Sequence, residues 1–405
     1  MKDTDVLVLS RHLSVDSFEA STGRRVIANT DTGQRLELGR EAAKILDVFR
    51  TPQKISSAAR QLGLAGRANR QKLHSLLSPL IEASFLVPAI VQSANHAGAL
   101  FRKPETSFAN CPTPDVSEIE QGSIAIAGIA SDQAVTGHPG TRYGPDRLRE
   151  VSRRFISYEL DVVTLKSLGF YSADLGKTVL KDVVFADLGN VVTHLSEDPR
   201  TFYDRCYRAA LSIHSRKALP VFIGGDHSIS APLVRAATES HGDLTIVHFD
   251  AHTDMADFAP PAEHHHGNVM SRVLQENAGV RIIQYGIRGF TKEPSLHPRW
   301  QIVSQRTIDT ELPTVLADHV PRGQKCYLSV DVDVLDPAVA PGTGTPLPLG
   351  MEPKTLLHLL EAVASRNTIV GVDITELCPP LDQHDLTTSL IFHVLMRLLA
   401  SIHHE

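Results

Sequence analysis

Cysteine is scarce. Cys111, Cys206, Cys326 and Cys378 are the only four in 405 residues, widely separated and without a CxxC pair. That pattern argues against a disulfide scaffold and against a thiolate zinc site. Long apolar runs are missing as well. No stretch approaches the ~20 residues needed to span a bilayer, and the opening MKDTDVLVLSRH has no apolar core of signal-peptide length. The expectation is a soluble cytoplasmic protein with no membrane partner. Positive charge is not in excess either. Forty Lys and Arg face 46 Asp and Glu, a formal net charge of −6. This disfavours a protein built to coat nucleic acid or anionic membrane. There is no internal repeat and no low-complexity tract. With 42% hydrophobic and 21% charged residues, the composition is globular. The length suits either two or three ordinary domains or one large α/β domain with an appendage.

The texture changes along the chain. In residues 1–90, Val6 to Leu9 and Arg25 to Ala28 read as short strands. LELGREAAKILDVFR reads as a helix, with Ala42, Ala43, Leu46 and Phe49 near helical spacing and Thr51-Pro52 ending it. Ile55 to Leu62 and Gln71 to Ala83 read as two further helices, and Phe85 to Val87 as a returning strand. Together they suggest a small winged-helix (α+β) domain. Residues 91–121 hold Pro104, Pro112 and Pro114 among many Ser, Asn and Thr, which is linker chemistry or a strap packed on a neighbour. From residue 122 to 405, apolar runs alternate with helical stretches. SIAIAGIA, VVFADLG, LPVFIGGDHS, LTIVHFDAHTD, VRIIQYGIR, CYLSVDVDVLDP and TIVGVDITEL read as strands. Phe202 to Ser215, Pro232 to Ala237, Lys354 to Ser365 and Leu386 to Ile402 read as helices. Near-continuous apolar strands between helices predict a mainly parallel sheet covered on both faces. Polar groups gather where the strands run out, where such sheets place ligands.

The sharpest chemical signal is LTIVHFDAHTDM. Asp250, His252 and Asp254 stand at i, i+2 and i+4, so they leave one side of the chain if strand geometry continues that far. In CYLSVDVDVLDP, Asp331 and Asp333 alternate with Val in the same way. In VFIGGDHS, Gly224-Gly225 allow a tight approach and His227 follows. Carboxylates gathered at apolar strand ends repel and are costly to desolvate, and a bound cation resolves that conflict. Four Asp and two His without thiolate suit Mn²⁺ best, with Fe²⁺, Co²⁺ or Ni²⁺ next. Six ligands are too many for one ion with an open position. Two ions about 3.5–4 Å apart, sharing a water, would make this a site of metal-assisted hydrolysis.

GGDHS, DAHTD, SVDVDVLDP, APGTGTP and DITELCPPLD, in this order, resemble the ureohydrolases, the family of arginases and agmatinases. GHPGTRYGPDRLR is similar to that family's N-terminal segment at Gly140, Arg142, Gly144, Pro145 and Arg149. The resemblance covers residues 123–402. It implies a three-layer α/β/α fold and two Mn²⁺ per subunit. By matched position, His227, Asp250, Asp254 and Asp331 would hold one ion. Asp250, His252, Asp331 and Asp333 would hold the other, with Asp250 and Asp331 bridging. Glu376 matches the carboxylate that holds the substrate guanidinium, and a planar cation with forked donors does call for a carboxylate. His266, in HHHGN, matches the proton shuttle for the leaving amine, with His264 and His265 as neighbouring alternatives. Asp254 is carried over as both ligand and catalytic group. Asp226 and Asp336 are expected to support rather than ligate. The resemblance also implies a homo-oligomer, a trimer or hexamer.

APGTGTP, GIRGF and ELCPPLD are more similar to agmatinases than to arginases of free arginine. Gly289-Phe290 follows Arg288 where arginases carry an Asp-containing stretch, and residues 256–265 (ADFAPPAEHH) lack the carboxylate-reading residues. Free L-arginine is disfavoured. The segments LELGREAAKILDVF, KISSAARQLG and LHSLLSPLIEASFLV resemble winged-helix domains of the PqqD-like class, which bind leader peptides, although Thr51-Pro52-Gln53 replaces that class's usual acidic residue and Gly. Such a module would take a peptide as an added strand. The expected substrate is therefore an arginine side chain in a ribosomally made precursor peptide, converted to ornithine. The alternative is a free small guanidino compound such as agmatine, with residues 1–90 serving assembly. A non-catalytic regulator that binds nucleic acid stands third. Thirteen Lys and Arg against nine Asp and Glu in residues 1–90 are a weak basic balance for it.

Overall fold

In the computed structural model, the described residues of the first hundred are 6–9, 13–19, 24–29, 35–49, 53–64, 67–82, 85–88 and Leu100. Beyond Leu100, all are described except 162–166, 195–196, 257–264, 292–296 and 404–405. The chain divides into two compact units, residues 1–99 and 100–405. Among the described residues, no helix is long and apolar enough to cross a membrane.

The first unit runs β1 (Val6–Leu9), β2 (Leu13–Glu19), β3 (Arg24–Asn29) and β4 (Arg35–Leu38), then a helix at Arg40–Val48. Next, β5 (Gln53–Lys54) leads into helices Ile55–Gln61 and Arg67–Glu82, and β6 (Leu86–Pro88) ends the unit. Two antiparallel sheets result, ordered β5-β1-β6 and β2-β3-β4. Ile27, Leu38, Leu46, Phe49, Ile55, Leu73, Leu77 and Phe85 share one core. The helix expected from LELGREAAKILDVFR loses its first residues to β4. Leu36 and Leu38 follow strand alternation in register with β3, and Gly39 opens the helix by accepting from Ala43 N at 3.0 Å. Thr51 and Pro52, which bear on the peptide-binding expectation, lie outside the described residues.

The second unit contributes β7 (Phe101–Arg102), β8 (Ile124–Gly128), a hairpin of β9 (Phe170–Ser172) and β10 (Lys177–Val179), then β11 (Phe185–Val191). It continues with β12 (Leu219–Ile223), β13 (Leu244–Phe249), β14 (Val280–Ile287), β15 (Trp300–Ser304), β16 (Lys325–Asp331) and β17 (Thr368–Thr375). Nine strands form one sheet ordered β15-β14-β13-β16-β17-β12-β8-β11-β7. All neighbours are parallel except β7 against β11. All seven runs read as strands are strands, and the four helices read from sequence are helices. Helices Gly144–Phe155 and Val269–Glu276 and strands β7 and β15 add to them.

The linker reading of residues 91–121 needs correction. Residues 91–99 are outside the described residues, and from Leu100 the segment belongs to the second unit. It supplies edge strand β7 and buries Phe108, Cys111 and Ile119. Lys103 reaches the carbonyls of Thr113 and Pro114, closing the strap on itself. Its prolines mark an extended strap packed on the core.

Alternation along each strand builds the layers. Ile124, Ile126, Val221, Val247, Phe249 and Val330 enter one core, with Leu356 and Leu360 of helix Pro353–Ala364 and Leu395 of helix Leu386–Ile402. Ala125, Phe222, Ile246, Ile282 and Tyr327 enter the other. That core also takes Phe202 and Ala209 of helix Pro199–Ser215 and Leu233 of helix Ser230–His241. This is the expected three-layer α/β/α arrangement. The four neighbouring strands at its centre are β13, β16, β17 and β12, and the loops at their C-terminal ends carry the charged motifs.

Gly225 shows how tightly those loops are drawn together. A Cβ there would stand 1.6 Å from Ser131 O. Its own carbonyl accepts from Glu376 N at 2.8 Å, and Asp226 N donates to Ser131 O at 2.9 Å. Gly225→Ala must push these loops apart. We expect it to lower stability by about 3 kcal/mol, the upper range for overpacking, read by denaturant unfolding. An unchanged midpoint would show the loops to be loose.

Candidate metal centre

Three chain segments bring the charged residues together. After β12, Asp226 caps the turn His227–Ile229 by accepting from Ser228 N at 3.0 Å. Its other oxygen accepts from Ala134 N at 3.2 Å. This fixes the backbone of His227 while Asp226 itself stays in a supporting role, as expected. After β13, the chain leaves strand geometry at once. The strand ends at Phe249, and Asp254 adopts a left-handed φ of 50°. The continued strand imagined for Asp250, His252 and Asp254 therefore does not exist, yet the three converge. Helix Val269–Glu276 holds the strained residue, Met270 N donating to Asp254 O at 3.0 Å. Asp331 ends β16 and caps the 3₁₀ turn Val332–Val334, which holds Asp333, its Oδ1 accepting from Asp333 N at 2.8 Å. Arg288 clamps that turn, donating to Asp333 O at 2.8 Å and Val334 O at 3.0 Å.

The side chains meet in two groups. His227 Nδ1 lies 3.2 Å from Asp250 Oδ2, 3.2 Å from Asp254 Oδ2 and 3.1 Å from Asp331 Oδ2. His252 Nδ1 lies 3.5 Å from Asp250 Oδ1 and 3.0 Å from Asp333 Oδ2. Asp250 thus faces both groups, one oxygen to each. Asp331 meets the first group, and its other oxygen is taken by the Asp333 amide. The sequence reading missed His248, whose Nε2 is 3.0 Å from Asp250 Oδ2. It sits inside an apolar strand, and the signal that finds it is its position two residues before Asp250, on the same strand face.

Several of these atoms are orphaned. His227 Nδ1, His248 Nε2 and Asp250 Oδ2 are buried without a hydrogen-bond partner. Their separations are short, yet none of these contacts is a hydrogen bond, so each atom keeps capacity for a further partner. Buried polar atoms left so are costly. The two groups, His227, His248, Asp250 and Asp254, and Asp250, His252 and Asp333, have the spacing that could hold metal ions. Oxygen and imidazole donors suit Mn²⁺ and its neighbours, so the residues fit the expected pair of ions.

The buried carboxylates and imidazoles shift one another's proton affinity. Burial works against charge on His227, yet Asp250, Asp254 and Asp331 outweigh it and hold the imidazolium well above its ordinary pKa. His252, also opposed by burial, is pushed up to about 12 by Asp250 and Asp333. Burial raises Asp331, and the charges of Asp333 and Asp250 raise it further. Burial and Asp250 do the same to Asp333. Asp250 goes the other way, because the histidines around it overcome its desolvation.

Glu376 and His266 lie alongside. Glu376, at the end of β17, has a left-handed φ of 60°. Its Oε1 accepts from His227 N at 2.9 Å and lies 3.1 Å from His266 Nδ1, whereas its buried Oε2 has no partner. Thr136 offers His266 Nε2 an N–H at 3.1 Å and a hydroxyl at 2.7 Å. The amide suits a neutral ring and the hydroxyl a protonated one. Burial alone would depress His266, but Glu376, with Asp254 and Asp226 beyond, raises its pKa above the usual value. Of the three neighbouring histidines, His264 is outside the described residues, and His265 Nδ1 accepts from Gly267 N at 3.0 Å. A cavity of about 960 Å³ opens over His252, Asp254, His266, Asp331 and Asp333. Fully exposed Phe290 and the sole tryptophan, Trp300, stand in its wall.

The chain is similar to known proteins in both sequence and fold. A model of the Arginase family matches residues 122–400. The chain is 31% identical to the mitochondrial guanidino acid hydrolase of Homo sapiens, over 69% of this chain and 78% of that one. It is 32% identical to the mitochondrial agmatinase of Gallus gallus, over 71% and 83%. Among solved structures, proclavaminate amidino hydrolase from Streptomyces clavuligerus superposes with a TM-score of 0.63 at 26% identity, over 74% of this chain and 97% of that one.

Because an incoming cation must displace protons held at raised pKa, affinity for manganese should strengthen as pH rises, with net proton release. Calorimetric titration in two buffers of different ionisation enthalpy measures that release, and none would contradict the charge balance described. Asp250→Asn, which alters the residue common to both groups, should weaken manganese binding by about 100-fold or more. Equilibrium dialysis reads it, and near-wild-type affinity would remove Asp250 from the centre.

Proposed function

The chain belongs to the arginase family, and from that premise we propose that it hydrolyses a substituted guanidinium to urea and an amine at the site formed by His227, Asp250, His252, Asp254, Asp331 and Asp333. The observation that carries this reading is the pairing of two kinds of orphan: candidate ligand atoms that keep capacity for a further partner, and a buried, unpartnered Glu376 oxygen beside them. Two divalent ions held there, Mn²⁺ by donor chemistry, would supply an acidified water and Lewis acidity.

The chain's own residues do the rest. Glu376 Oε2 accepts the forked N–H donors of the guanidinium, charge against charge. Its Oε1 is pinned by His227 N, so the substrate's position is tied to the backbone of a metal ligand. His266 lends a proton to the leaving amine, with Glu376 holding Nδ1 and Thr136 tolerating either state of Nε2. Asp254 orients the first group and takes part in moving the proton away from the attacking water. Self-association into a trimer or hexamer is part of the same reading.

The substrate we favour is an arginine side chain within a peptide, giving ornithine. Arg288 is spent on backbone carbonyls, including Leu347 O at 2.7 Å, and is not free to read an α-carboxylate. The cavity of about 960 Å³ lies at the upper end for small-ligand sites and exceeds what a short guanidino chain needs. Residues 1–99 form a separate unit outside the family match, and it contains the segments of residues 1–90 whose sequence resembles a leader-peptide-binding module. A free small guanidino compound is the second reading, favoured by relatives named agmatinase and guanidino acid hydrolase.

Urea release from agmatine, free arginine and an arginine-containing peptide, assayed side by side, separates these readings. The peptide should be the best substrate and free arginine the poorest. Turnover of agmatine with the peptide untouched would decide for the small compound. Glu376→Gln should cut kcat/KM by about 100-fold, the lower end of breaking a buried charge pair at about 3 kcal/mol, with manganese still bound. Retained kcat/KM would remove Glu376 from substrate binding.

A further inference from the structure

A row of buried polar side chains crosses the sheet directly beneath the site. His248 of β13 is in register with Gln284 of β14 on one side and Ser329 of β16 on the other. Ser329 is in register with Asp373 of β17. Register partners share a sheet face. This face otherwise takes Ile246, Ile282 and Tyr327 into the core, and all four polar residues are fully buried. Trp300 of β15 joins the row diagonally, because Gln284 pairs with Ile302 two residues further on.

The donors and acceptors fix where each proton sits. An indole N–H only donates, and Trp300 Nε1 lies 2.6 Å from Gln284 Oε1. That makes the other amide atom the nitrogen. It donates to Thr253 O at 2.7 Å and to His248 Nδ1 at 2.8 Å. His248 Nδ1 is therefore an acceptor, and the ring's proton is on Nε2, 3.0 Å from Asp250 Oδ2. On the other side, Ser329 Oγ donates to Asp373 Oδ1 at 2.7 Å. Its oxygen then accepts from His227 Nε2 at 2.9 Å, which turns His227 Nδ1 towards Asp250, Asp254 and Asp331. Two imidazoles with centroids 4.9 Å apart are thus turned oppositely. His227 directs its Nε2–H to Ser329, away from the centre, and His248 directs its Nε2–H towards it.

We infer that His248 is a positioning residue and not a metal ligand: the chain Trp300, Gln284, His248 fixes its Nε2–H against Asp250 Oδ2 and so orients the carboxylate that serves both metal groups. Asp250 Oδ1 has its own tether, the His252 amide at 2.6 Å. Oδ2 has no hydrogen bond but faces the His248 N–H at 3.0 Å, a charge–dipole contact that biases its direction while leaving its lone pairs for the site. This inference rests on the metal centre proposed above.

The test compares manganese binding, by equilibrium dialysis with metal analysis, in wild type, His248→Phe and His248→Gln. Phenylalanine removes the donor, whereas glutamine can place an amide N–H near the position of Nε2. The expected result is two ions per chain in all three. Affinity should fall about 10–100-fold in His248→Phe, as for lost support of a ligand, and largely recover in His248→Gln. Gln284→Leu, which frees the tautomer while leaving His248 in place, should reproduce the weakening if His248→Phe does not fold. Loss of one ion in His248→Phe would make His248 a ligand and overturn the inference. So would unchanged affinity in His248→Phe or Gln284→Leu, or a His248→Gln as weak as the phenylalanine variant. Wild type that binds no manganese would overturn the metal centre itself, a result distinguishable from failure of the variants alone.

Discussion

Carboxylates forced together out of water are the constraint on which this structure turns. Asp226, Asp250, Asp254, Asp331, Asp333 and Glu376 are all buried at the C-terminal ends of four adjacent strands. Like charges at such separations resist ionisation together, and desolvation adds to the cost. The fold answers in part with histidines carrying raised pKa values and in part with backbone amides donating to single carboxylate oxygens. Neither answer satisfies Asp250 Oδ2 or His227 Nδ1. A pair of cations would, which links the folding problem to the proposed chemistry.

Holding such a site demands backbone that ordinary strand and helix geometry does not provide. Asp254 and Glu376 both sit at positive φ without being glycine, at a cost of about 1–3 kcal/mol each. Each is fixed from outside its own segment, Asp254 by the amides opening a helix and Glu376 by Gly225 O. Arg288 spends its guanidinium on carbonyls of the turn bearing Asp333. Rigid parallel strands supply the frame, and the strain is confined to the residue or two where each chain leaves the sheet.

The sequence made the candidate ligands visible for a simple reason: a carboxylate or imidazole ending an apolar run has no structural excuse. The seven strand runs and their order were readable on the same basis. The local geometry was not. Alternation of Asp331 with Asp333 suggested a strand, but β16 stops and the side-chain caps of a 3₁₀ turn produce the same spacing. His248, Gln284 and Ser329 were passed over because single polar residues inside apolar strands look like tolerated exceptions. Only register across β14, β13 and β16 shows that the exceptions line up. In the first unit, Leu36 and Leu38 were absorbed into a neighbouring helix, since two residues of alternation are too few to separate strand from helix.

The proposed hydrolysis requires two cations in two adjoining groups that share Asp250. Anomalous diffraction at the manganese edge from crystals soaked in that metal tests this most directly. The account predicts two peaks, one among His227, Asp250, Asp254 and Asp331 and one among Asp250, His252 and Asp333, with none on His248. A single peak, peaks remote from Asp250, or none at all would contradict it.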